Sequence, residues 1–121
     1  MNPETLRPVT TDLDIPVLPG AQRQGDILVL PTEQRTPAKP EPIPPSGIVV
    51  VRGEATDHTH TLLGEGTWTP LPGPADLGIA DITGTAYLIH PEHAALGIGA
   101  GRYVLRRQRE HTPSGPQHID D

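Results

Sequence analysis

The chain has 121 residues, no cysteine and a formal net charge of −6. That length makes one small domain, the missing cysteine excludes disulfide staples and thiolate metal sites, and the acidic balance argues against nucleic-acid binding. Only 34% of residues are hydrophobic and the aromatics are Trp68, Tyr87 and Tyr103, so Ile, Leu, Val and Ala must build a thin core, and a homo-oligomer is expected to supply the missing burial.

In chain order, residues 1–20 read as an extended N-terminal arm, broken by Pro3, Pro8, Pro16 and Pro19. Residues 25–30 form the first strand, closed by Pro31. A proline-rich loop follows over 32–46. Ile48 to Val51 is the next strand, entering Arg52-Gly53, and His58 to Leu63 another. Gly64-Glu65-Gly66 and Leu71-Pro72-Gly73-Pro74 read as turns. The stretches 77–82 and 84–89, separated by Thr83-Gly84, suggest a hairpin whose second strand ends at His90-Pro91. The glycines of 96–101 mark a bend or a close backbone approach. Arg102 to Arg109 is the last strand, and 111–121 reads as a disordered tail. The expected class is all-β: a single domain over 21–110, a small barrel, sandwich or β-roll of short antiparallel strands with long Pro-rich loops.

No apolar run approaches the ~18 residues a membrane span needs. Met1-Asn2-Pro3-Glu4-Thr5 has neither the basic nor the apolar region of a signal peptide, so the expected location is the cytoplasm.

The residues that carry chemistry are histidines. Four of six fall in two short clusters, Asp57-His58-Thr59-His60 and His90-Pro91-Glu92-His93. Side chains on a strand alternate, so His58 and His60 share a face. His90 ends a strand that can pair beside them, and the turn at Pro91 can fold His93 back next to it. Three imidazoles and an open position make a catalytic-type site for a divalent metal, zinc first. Asp57, Glu65 and Glu92 are candidates to orient the ring N–H groups, and Glu65 is also the candidate proton acceptor. The plainer reading is an exposed polar face of a surface strand.

The first cluster resembles the first motif of the cupin family, through Gly53, His58, His60, Glu65 and Gly73. The spacing differs by one residue before the histidines and by one after the glutamate. No histidine stands where the second cupin motif would place it, near Gly99-Ala100-Gly101 and Arg102-Tyr103. The likeness implies a β-barrel with a metal. His58, His60 and His90 are also similar to the zinc-ligand set of α-type carbonic anhydrases. The γ class builds such sites between subunits of a trimer, which a thin-cored chain would suit.

Arg102, Arg106, Arg107 and Arg109 are read first as the charges of an edge strand that resists aggregation, and second as an anion grip. Gly97 to Gly101 is no phosphate loop, because a strand follows it, and Trp68 is a core or interface anchor. The functional expectation is a metal-dependent enzyme acting on a small-molecule substrate by activating water. Carbon dioxide hydration is the first choice and hydrolysis of a small ester or lactone the second. The alternative is a non-enzymatic structural or assembly module, with a cupin-type metal-binding protein between the two.

Overall fold

The computed structural model describes residues 15–36, 38–52, 58–112 and 115–118. Among these the chain is all-β. The strands are β1 (Val17–Leu18), β2 (Gln22–Gln24), β3 (Ile27–Pro31), β4 (Glu41–Pro42), β5 (Ile48–Arg52), β6 (Thr59–Pro70), β7 (Asp76–Ile89), β8 (Leu96–Ile98), β9 (Gly101–Arg107), β10 (Arg109–Thr112) and β11 (Gly115–His118). The first nine form one curled sheet, while β10 and β11 pair only with each other. No helix among the described residues is long and apolar enough to cross a membrane. Gly53, Asp57, residues 1–14 of the expected arm and positions 113–114 and 119–121 of the expected tail lie outside the described residues.

The sheet is organised around β7, the longest strand. Along one edge it pairs with β6 from Gly78 to Ile89. Its other edge is shared: β9 takes Asp76 to Ile82, and β8 takes Ala86 to Leu88. The change of partner falls where Gly64 lies opposite Ala86 but Gly66 opposite Ile82. Thr83, Gly84 and Thr85 therefore face Glu65 alone, and a bulge of this kind bends a strand and increases its twist. The expected hairpin at Thr83-Gly84 is thus one bulged strand. The expected turn at Gly64-Glu65-Gly66 is the facing part of β6. Both stretches carry turn-type residues because a bulge needs the same backbone freedom as a turn.

Beyond β9 the sheet continues through β3 to β2, an antiparallel pair joined by the two-residue turn Gly25-Asp26. The sheet curls far enough that β2 returns to β8. The gap is bridged by side chains: Gln22 Nε2 donates to Gly97 O at 2.8 Å, and Gln24 Nε2 to Leu88 O at 2.8 Å. The other flank of β6 carries β5 and β4. The strands pair antiparallel except at one place, where β1 runs parallel to β8. There Gly97 allows the close approach, because a Cβ would stand 2.4 Å from Pro16 O.

The concave face is the core. Ile27 and Val29, Ala80 and Ile82, Ala86 and Leu88, and Tyr103 and Leu105 alternate inward as period-two patterns require, joined by Leu62, Trp68 and Ile98. Each such aliphatic side chain contributes about 1.5–3 kcal/mol by leaving water. Ile43 seals the rim from within the proline-rich segment, its N–H donating to Gly66 O at 3.0 Å.

On the convex face, Arg102 meets Asp81 and Arg106 meets Asp76, each at 2.6 Å and each in direct cross-strand register. Arg102, Arg106 and Arg107 do not guard an edge, because β9 is paired on both sides, whereas Arg109 lies beyond it in β10.

Gly64 has φ 129°, and a Cβ there would lie 2.4 Å from Thr85 O. Gly64→Ala is expected to cost about 1–3 kcal/mol in urea unfolding. Gly73→Ala, which meets open space, should stay within about 0.5 kcal/mol. Equal effects would show that the bulge is not strained against substitution.

Burial raises the Tyr103 phenol above its ordinary value of 10.0, and its hydroxyl donates to Gly99 O at 2.9 Å. The folded state holds a proton that the unfolded chain sheds. This contribution is complete below pH 10.0 and is lost as pH rises through the folded-state value. Tyr103→Phe should flatten the alkaline fall of the denaturant midpoint; an unchanged slope would assign that fall to other groups.

Candidate metal centre

The two histidine clusters meet because of strand register. Leu62 faces Leu88 and Thr61 faces Ile89, so the next step along both strands sets His60 against His90. His60 stands on the inward row of β6 beyond Leu62 and is 0% exposed. His58 precedes β6, and His90 follows the last residue of β7. The turn after His90 carries Glu92 and His93.

The four imidazoles form one cluster within a single chain. Ring centres lie 4.5 Å apart for His60 and His90, 4.5 Å for His90 and His93, 5.6 Å for His58 and His90, and 6.3 Å for His60 and His93. His90 touches the other three. The nitrogens do not form a finished coordination sphere: among the described residues, no three His, Asp or Glu side chains are arranged to hold a metal ion.

Polar side chains from β2 and the turn after it surround His60. Gln24, 2% exposed, donates through Nε2 to Leu88 O at 2.8 Å and to Ala94 O at 2.9 Å. Both carbonyls can only accept, so the amide has one sensible orientation. Its Oε1 therefore faces His60 Nδ1, at 2.9 Å. Asp26, 5% exposed, places Oδ1 3.8 Å from His60 Nε2 and Oδ2 3.6 Å from Arg107 Nε. A buried carboxylate needs such compensation. Glu92 serves the other rings: its backbone N–H donates to His90 Nδ1 at 2.9 Å, and its carboxylate lies 3.4 Å from His58 Nδ1.

Glu65 does not join the cluster. It sits five residues beyond His60, ~16 Å along the strand at 3.2–3.4 Å per residue. Its side chain lies against Gly84 at the bulge. Its spacing from His60 matched a motif, but the rest of β6 runs straight away from the histidines. Sequence reasoning missed Gln24, Asp26 and Arg107. The available signal was Gly25-Asp26, a two-residue hairpin turn, which makes the preceding glutamine part of a strand with an inward side.

Beside the cluster lies a depression of about 330 Å³ lined by Thr59, Thr61, Ile89, His90 and Pro91. It falls within the size range of small-molecule sites, and among the described residues no lysine or arginine lines it.

Fold and site together define a small curled β-sheet domain with a four-histidine cluster beside strand ends. The chain belongs to the family described as Domain of unknown function (DUF8820), whose model matches residues 23–108. No curated protein and no solved structure matches the chain. No cupin or carbonic anhydrase family model matches the chain, so neither resemblance is confirmed.

Replacing Gln24 by Leu would strand two carbonyls and a ring nitrogen. Gln24→Leu is expected to lose about 2–4 kcal/mol of unfolding free energy, since each buried group left unsatisfied costs about 1–3 kcal/mol. A loss below about 0.5 kcal/mol, the range of an ordinary surface change, would mean the amide is not what holds β2 to the end of β7.

Proposed function

We propose that this is a cytoplasmic metal-dependent enzyme whose histidine cluster binds a divalent transition metal, zinc first. The ligands are His58, His60 and one or both of His90 and His93. The observation that carries the reading is the spacing of the rings. Imidazoles that share a tetrahedral zinc at ~2.0–2.1 Å have centres about 5 Å apart, and the four ring pairs in contact, three of them through His90, lie 4.5–6.3 Å apart. Binding would require the side chains to rearrange, because as placed no three of them are set to hold an ion. All four come from one chain, so the reading does not require a second subunit.

The donor set suits the ion: neutral nitrogen ligands, one of them oriented by a buried amide, as ligating histidines are. The bound metal would supply a water of lowered pKa, available as a nucleophile near neutral pH. The chain's own residues do the rest. Gln24 holds the His60 ring, Glu92 sits against His58 and His90, and the adjoining depression admits a small molecule. Carbon dioxide hydration remains the first reaction to assign, and hydrolysis of a small ester or lactone the next.

The alternative of a non-enzymatic assembly module draws on a different surface. Val49 and Ile89 are 49% and 37% exposed and flank Thr61 in cross-strand register. A homo-oligomer that covers this row would give the thin core its missing burial.

Elemental analysis of protein purified without chelator should find about one divalent ion per chain. Chelation should lower the melting temperature, and His58→Ala, at a partly exposed position, should abolish uptake. Metal-free protein whose melting ignores both chelator and added Zn²⁺ would end the metal reading. A metal-loaded protein with no carbon dioxide hydration above buffer would end that reaction alone.

A further inference from the structure

We propose that the convex face built by β5, β6, β7, β8 and β1 is a dimer interface, and that its partner is a second copy of this chain packed face to face. The interface requires no metal at the histidines.

Cross-strand partners in a sheet point to the same side, and successive residues to opposite sides. Ala86 and Leu88 face the core, so Tyr87 and Ile89 face out. Pairing extends a row from each. Tyr87 lies opposite Leu63 on one side and Gly97 on the other, and Gly97 lies opposite Val17. Ile89 lies opposite Thr61, and Thr61 opposite Val49. Val17 drapes over this side, since a Cβ on Gly97 would stand 2.9 Å from Val17 Cγ2. Among the described residues, four large apolar side chains are exposed. Three of them, Val17, Val49 and Ile89 at 43%, 49% and 37%, stand on these two rows. Apolar residues exposed singly are ordinary, whereas a contiguous patch marks a contact surface.

Charge selects the occupant. None of the residues in these rows is charged, in a chain of net charge −6. The paired charges of the convex face sit on its other half, where Arg102 meets Asp81 and Arg106 meets Asp76. A nucleic acid or a charged peptide would find no countercharge in the apolar rows. Two acidic copies repel through most approaches, and here they can meet without setting like charges together. A two-fold axis running along β6 at Thr61 places Val49 of each copy over Ile89 of the other, because both lie one strand, ~4.8 Å, from Thr61. The contact is isologous, with the strands of the two sheets aligned. Four strand intervals by about five residues give roughly 300 Å² of flat sheet per copy. That is a small interface, so the dimer is a weak one. The depression beside His90 opens on Thr61 and Ile89. The second copy therefore covers it, and a molecule bound there competes with dimerisation.

Sedimentation equilibrium of the full chain from ~10 µM to ~1 mM should show a reversible monomer–dimer equilibrium with a Kd of about 10–100 µM, the strength of a small interface. Val49→Glu, at an exposed site, should weaken it by more than about tenfold without moving the urea midpoint. Ala100→Glu, exposed elsewhere on the surface, should leave it unchanged. The chain has no cysteine, so Thr61→Cys introduces a single thiol. Facing sheets ~10 Å apart should then let a thiol-to-thiol cross-linker of that length trap covalent dimers. A monomer throughout the concentration range overturns the proposal. So does a dimer that Val49→Glu leaves intact, that Ala100→Glu weakens equally, or that position 61 fails to cross-link. Chelator-treated protein should behave identically, so loss of the metal reading leaves the interface standing.

Discussion

One buried amide ties the fold to its candidate site. Gln24, with Gln22 beside it, bridges the gap in the curled sheet; it binds Leu88 O at the end of β7 and Ala94 O in the following turn, and presents its oxygen to His60. A glutamine is suited to all three contacts because it carries two donors and an acceptor on one planar group. A carboxylate there would face two carbonyls with no proton to offer. The net gain from such hydrogen bonds is modest, but the cost of losing one in a buried network is not. The curl of the sheet, the placement of the turn at residues 90–94 and the orientation of His60 are therefore one constraint.

Register does the complementary work. The histidine clusters lie thirty residues apart in the chain and meet because β6 and β7 are antiparallel with Thr61 opposite Ile89. A slip of one residue would turn His60 away from the core. The bulge preserves this arrangement. It sets three residues of β7 against Glu65, an excess of two, and two is the side-chain period of a strand. Inward rows on either side of the bulge therefore stay in phase, with Ala80 and Ile82 before it and Ala86 and Leu88 after it.

Charge is distributed to match. On the convex face, Arg102 and Arg106 meet aspartates directly across from them. On the concave face, Asp26 lies between Arg107 and His60 with little exposure. A buried carboxylate is tolerated only with partners of this kind. The span matched by the family, 23–108, contains every residue of this network, from Gln24 to Arg107.

The sequence by itself determined the all-β class, because prolines, glycines and short apolar runs leave no room for a helical period. It also determined where the histidines concentrate: His58-x-His60 and His90 with His93 are visible as local patterns, and the turn at Leu71 to Pro74 and the close approach at Gly97 follow from residue type alone. Only the tertiary structure decided that β7 is one bent strand, since a bulge and a hairpin call on the same residues and differ in what pairs with them. Only it separated Glu65 from the histidines and brought in Gln24, Asp26 and Arg107. The physical reason is that strand periodicity and turn chemistry act within a few residues, whereas partner choice and curl depend on contacts between segments far apart in the chain.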